Sequence, residues 1–119
     1  MRLVTRKELM DLPAGTIYQE YEPKIFRTGL CIKGETTVPW SEKNSGDWTL
    51  LDLPDFEDFM SDTTKLEVGR SVKFDFKAYA RDGCYAEEQM YAVWEPDELA
   101  HLAILCENAI KASVEVTND

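Results

Sequence analysis

From Ser71 to Ala80 apolar and polar residues alternate without a break. Val72, Phe74, Phe76 and Ala78 take one parity, and Ser71, Lys73, Asp75 and Lys77 the other. Side chains of a strand point to opposite faces with a period of two. The stretch therefore predicts a strand with one buried face and one wet face, the habit of an antiparallel sheet. "QMYAVW" (Gln89 to Trp94) reads as the returning partner strand. Three further segments rich in strand-formers precede these: "TIYQEY" (Thr16 to Tyr21), "GLCIKG" (Gly29 to Gly34, bracketed by glycines) and "DWTLLDL" (Asp47 to Leu53). Glu35 to Gly46 is polar and turn-like, a long loop with Trp40 as its anchor.

Helix signals are fewer. Thr5 with Glu8 three residues on makes a capping box, and Val4 with Leu9 can form the hydrophobic staple. Pro13 keeps that helix short. Pro54 and the acids after it suit a second helix N-terminus, with Phe56, Phe59 and Met60 sharing one face. Pro96, Asp97 and Glu98 open a third helix, expected to run to about Ser113. Its middle turns are apolar nearly all round, whereas a surface helix buries about a 100° face. Two burial partners are implied, the sheet on one side and a second copy of the chain on the other. The alternative second partner is the short helix near Phe56. The expected fold is α+β: an antiparallel sheet with a short N-terminal helix and a long C-terminal helix used for oligomerisation. One domain spans 1–119, with the sheet region at about 14–95 and the terminal helix at about 96–114.

Charge and cysteines narrow the functional classes. The formal charge is -10 over 119 residues, which disfavours broad binding to DNA or RNA duplexes. No apolar run approaches the ~20 residues that span a bilayer, and "MRLVTRKELM" lacks the apolar core of a leader. Cys31, Cys84 and Cys106 lie far apart without a CxxC pair, which points to reduced thiols in a cytoplasm. The run Asp47, Asp52, Asp55, Glu57, Asp58 and Asp62 contains no Lys or Arg. It admits an acidic inhibitor that imitates DNA to block a host protein; a solvated face is the plainer reading.

Catalytic kits are missing. The single histidine, His101, has no second ligand or nucleophile beside it, and no phosphate-loop or zinc spacing occurs. Acid pairs such as Glu87-Glu88 are expected by chance among 23 acids. Two basic–aromatic junctions remain. One is "YEPKIFRTG", with Tyr21, Lys24, Phe26 and Arg27 around a proline turn. The other is "YARDGCY", with Tyr79, Arg81, Asp82, Gly83 and Tyr85. A guanidinium clasps phosphate bidentately and a ring stacks on a base, so such junctions suit a nucleotide. Equally, Arg81-Asp82-Gly83 is a plain hairpin turn and Phe26 a core residue; the residues alone favour this second reading. Arg81 near Cys84 is a reason to expect a lowered thiol pKa.

The blocks "TRKELMDLPAGTIYQEYEP", "IKGET" and "ARDGCYAEEQMYAVWEPDEL" resemble those of a small phage family, the Thoeris anti-defence sponges of the Tad type. The resemblance covers most of the chain and is weakest from Thr36 to Thr64. It implies a sheet with C-terminal helices that mediate assembly, and a ligand near subunit interfaces. It implies binding of a cyclic ADP-ribose isomer made by bacterial TIR-domain enzymes, held without cleavage in the cytoplasm of an infected cell. Cyclic oligonucleotides at a separate site are a second implied guest. Such a sponge is no enzyme and needs no cofactor or metal, since it stabilises no transition state. On this sequence the contacts fall to Arg27 and Arg81 on the pyrophosphate and to Phe26 or Tyr79 on adenine, with Asp82 alongside. An enzyme that degrades the same signal is the third reading.

Overall fold

The capping box at the start of the chain forms as its residues dictate. The Thr5 side chain accepts from the Glu8 amide, and the Glu8 carboxylate accepts from the Thr5 amide. Helix α1 (Arg6–Met10) follows a first strand, β1 (Arg2–Thr5), that no alternation announces. The computed structural model describes residues 1–77 and 79–118. The remaining elements are β2 (Ile17–Glu22), β3 (Ile25–Phe26), β4 (Leu30–Val38), β5 (Asp47–Leu53), α2 (Phe59–Lys65), β6 (Ala80–Arg81), β7 (Met90–Val93) and α3 (Pro96–Asn118).

The architecture is α+β. Seven antiparallel strands form one sheet in the order β1-β7-β2-β4-β5-β6, and β3 pairs β2. Directly opposed residues of an antiparallel ladder project to the same face. Tyr18 opposes Cys31 and Val93, and Cys31 opposes Asp52. Tyr18, Glu20, Cys31, Trp48, Leu50, Asp52 and Tyr91 therefore share one face. α1 lays Arg6, Leu9 and Met10 on it, and the core is Val4, Leu9, Met10, Tyr18, Cys31, Trp48, Tyr91 and Val93. Trp40 packs against this core, as a loop anchor should. β5 occupies the predicted Asp47–Leu53, while β4 continues through Gly34 to Val38 and shortens the expected loop.

The strongest local signal is the one that fails. Residues 71–77 form no strand; Phe74 makes only an isolated bridge to Phe56. Ala78 lies outside the described residues. Alternation supplies a face but not a neighbour. The edge of β5 pairs Ala80 and Arg81 instead. β7, the expected partner, is sequestered between β1 and β2. Arg81-Asp82-Gly83 is therefore not a hairpin turn. It begins a crossover from one edge of the sheet to β7.

α2 starts later than expected, with Asp58 as its N-cap, and buries none of its residues. α3 also departs from expectation. It contacts the sheet end only near its start, where the Met1 amino group pairs with Glu95 and Glu98. From Ala103 to Val114 every residue is exposed, so the predicted packing against the sheet is absent. The longest dimension is 59 Å against 36 and 26 Å, and the radius of gyration is 17.0 Å; a compact domain of this length has about 13.5 Å. α2 does not cover α3 either.

Candidate functional site

The molecule concentrates its polar chemistry around a buried arginine. Arg6 is fully buried. Its Nε donates to the Ser45 carbonyl at 3.0 Å, Nη2 to the Gly46 carbonyl at 2.8 Å and Nη1 to the Tyr91 hydroxyl at 2.9 Å. Nη1 also lies 3.0 Å from the Asp82 carboxylate, and the guanidinium sits 4.3 Å above the Trp48 ring. Burial alone lowers the pKa of such a group; Tyr91 and Asp82 outweigh it, and the net shift is upward. Around it Tyr18, Trp48 and Tyr91 pack edge to face, with centroids 5.7–6.4 Å apart. The Trp48 indole donates to the Tyr18 hydroxyl at 2.8 Å. Burial raises both tyrosine pKa values and keeps the phenols neutral. Gly46 has φ +77°, and a side chain there would strike Met10.

Asp47 makes a second anchor. Its side chain is 0 % exposed. Oδ1 accepts from the Trp48 amide at 3.0 Å and the Gly83 amide at 2.9 Å. Oδ2 lies 2.7 Å from Arg81 Nε without a directional hydrogen bond, so that contact is chiefly coulombic. The Asp82 amide donates to the Trp48 carbonyl at 2.9 Å. The turn from Arg81 to Gly83 is thus held by Arg6 from one side and Asp47 from the other. Arg81 keeps 63 % of its side chain exposed, with Tyr85 6.0 Å from its guanidinium.

The register sorts the predicted contact residues. Tyr21 opposes Phe26, and Thr49 opposes Arg81. Through Ile17, Ile32 and Leu51 these share the face turned away from Arg6. Tyr79 joins them, because its ring lies where a Gly34 side chain would go. Phe26 and Tyr79 are about half exposed. Arg27 and Asp82 go elsewhere. Arg27 donates to Glu22 at 2.8 Å on an exposed edge, and Asp82 is turned inward to Arg6. Within one copy, then, Phe26, Tyr79 and Arg81 share a face without lining one cavity, and the two arginines do not converge.

A cavity of about 280 Å³ does open beside the crossover. Tyr18, Glu20, Cys31, Leu50 and Asp52 project into it from the core face, and Ala80, Arg81, Asp82 and Cys84 border it. Glu20 is half-buried. Burial, then Asp82, push its carboxyl above the ordinary value, and Arg27 pulls it partly back. Burial pushes the Cys31 thiol up to about 12. The Cys84 thiol is raised as well, by burial and then Asp82, so the expected activation by Arg81 does not occur; that arginine is engaged by Asp47. Among the described residues no group of three or more His, Cys, Asp or Glu can hold a metal ion, and no helix is long and apolar enough to cross a membrane.

Arg6, Asp47 and Glu20 did not stand out in the sequence. One signal for Arg6 was present: a cation in the first turn of a helix opposes the helix dipole, which marks it for a tertiary partner. The acidic run is divided by the fold. Asp47 is buried, Asp58 caps α2 and Asp62 accepts from the Asp58 amide. No protein family, curated protein or solved structure matches this chain.

Proposed function

We propose that the protein binds a cyclic ADP-ribose-type nucleotide and holds it uncleaved, as the resemblance to anti-defence sponges implies, and so silences a TIR-driven Thoeris response. The observation that carries this reading is Arg81. A buried carboxylate lies 2.7 Å from its Nε and holds it by charge, while 63 % of the Arg81 side chain stays exposed. A guanidinium held in place with much of its surface open suits a bidentate phosphate. Tyr79 and Phe26 offer rings for a base on the same side of the sheet, and Tyr85 lies 6.0 Å from the guanidinium. One copy leaves these groups open, so the pocket is completed when copies associate through α3, whose apolar residues have no cover of their own.

The test is capture. The protein is incubated with a panel of cyclic ADP-ribose isomers and cyclic oligonucleotides, washed and denatured, and the released compound is identified. Intact nucleotide in stoichiometric amount is expected, with stabilisation of about 2.7 kcal/mol at a hundredfold excess over Kd. Arg81→Lys keeps the charge near Asp47 but loses the fork, and should lose that stabilisation while melting like the parent when free. Release of a cleaved product would make the protein an enzyme. Release of nothing would end the proposal.

A further inference from the structure

The cavity beside the crossover opens on the core face, opposite the rings offered to a nucleotide base. Three carboxylates line it: Glu20, Asp52 and Asp82. Arg81 borders it as well, but is held by Asp47. Asp82 is held by Arg6 through Oδ2, which also accepts from the Cys84 amide at 3.3 Å. The Asp82 side chain is 6 % exposed, yet among the described residues no hydrogen bond reaches its Oδ1. Glu20 makes no side-chain hydrogen bond or ion pair among them, and Asp52 accepts only from the Cys31 thiol, at 3.8 Å.

With Arg81 matched to Asp47 and Arg6 to Asp82, Glu20 and Asp52 remain as two uncompensated negative charges on one cavity. They sense each other. Burial and Asp82 push the Glu20 carboxyl up, Arg27 pulls it partly back, and Asp52 adds to the rise. Tyr18, Leu50 and Ala80 supply apolar wall. A carboxylate drawn out of water without a cation is costly, and a few convergent polar groups on apolar walls are the form of a small-molecule site. About 280 Å³ suits a ligand of modest size.

We propose that this cavity binds an α,ω-diammonium ion of the short polyamine class. Charge gives the sign of the ligand and spacing gives its length. Among the described residues no three His, Cys, Asp or Glu side chains come together closely enough to hold a metal ion. A point cation therefore cannot serve these carboxylates at once, whereas a diamine sets one ammonium on Glu20 and the other on Asp52. Each ammonium carries three donors, and Asp82 Oδ1 accepts one of those left over. The methylene chain lies against Tyr18, Leu50 and Ala80. The chain's charge of -10 draws in cations of every kind; selectivity comes from the separation of the two free carboxylates.

Isothermal titration calorimetry at physiological salt tests this with the α,ω-diamines from diaminopropane to diaminohexane. One diamine should bind per chain, affinity should peak at one chain length, and the neutral diol of that length should not bind. Glu20→Gln and Asp52→Asn should each weaken binding about tenfold or more. Glu87→Gln/Glu88→Gln removes two charges outside the cavity and should bind as the parent does. Ala80→Leu keeps every charge but fills the wall, and should abolish binding with unchanged far-UV circular dichroism. Binding that ignores chain length, or that weakens as much in the Glu87/Glu88 variant as in the cavity variants, would show an ion atmosphere around an acidic chain and overturn the site. So would the absence of binding. No nucleotide is present in these titrations, so either result leaves capture through Arg81 to its own experiment.

Discussion

The two basic–aromatic junctions look alike in sequence and behave differently in the fold. Each carries a non-glycine residue in the left-handed region, Lys24 at φ 72° and Tyr85 at φ 50°, a conformation that costs about 1–3 kcal/mol where surrounding structure enforces it. Each sets an arginine against a carboxylate. Arg27 meets Glu22 with both side chains half exposed, and such pairs contribute about 0–1 kcal/mol. Arg81 meets Asp47, whose carboxylate is fully buried and also holds two backbone amides. The first junction is a surface turn that solvent screens. The second is a turn clamped to the core, with one working arginine left outside. Similar residue types acquire different roles because one carboxylate lies beneath the sheet edge and the other does not.

The sharpest way to break this contrast is Arg6→Met. It leaves Asp82 buried without its cation, and should cost about 3–5 kcal/mol, read as a lowered urea midpoint at unchanged slope. Amide exchange should accelerate from Arg81 to Tyr85 and stay as it was from Glu22 to Arg27. Equal acceleration in both turns would mean that the second is not specially clamped. Asp47→Asn comes next, at about 1–3 kcal/mol. It keeps the volume and an acceptor but loses the charge that orients Arg81, so nucleotide capture should weaken more than stability does. A variant that binds as the parent does would detach Asp47 from the site.

The smallest effect sharpens the comparison through pH. Glu20 feels both junctions, Asp82 from one and Arg27 from the other. Its folded pKa is raised above the ordinary 4.5, so the folded state holds this proton more tightly than the unfolded chain does. Stability from this group is complete below 4.5. It falls as pH rises towards the folded value, and stays lost above it. Glu20→Gln should therefore match the parent in acid and exceed it at neutral pH in paired thermal melts. A gain present at every pH would assign the effect to packing.

Local rules determined a good part of this protein. The Thr5–Glu8 capping box, the short first helix, the strands at Ile17–Glu22 and Asp47–Leu53, the helix start at Pro96 and the α+β class all follow from residues adjacent in the chain. What lay beyond the sequence is whatever depends on a neighbour. The alternation from Ser71 found no strand to pair with, because β7 was claimed by β1 and β2. Helix α3 found no sheet face, because α1 and the crossover occupy the core side. Arg6, Asp47 and Asp82 lie 35 residues or more apart along the chain and meet only around Trp48. Propensity and periodicity are properties of a segment, and the sequence expresses them directly. Burial of a charge is a property of a place, and the place exists only once distant strands have closed around it.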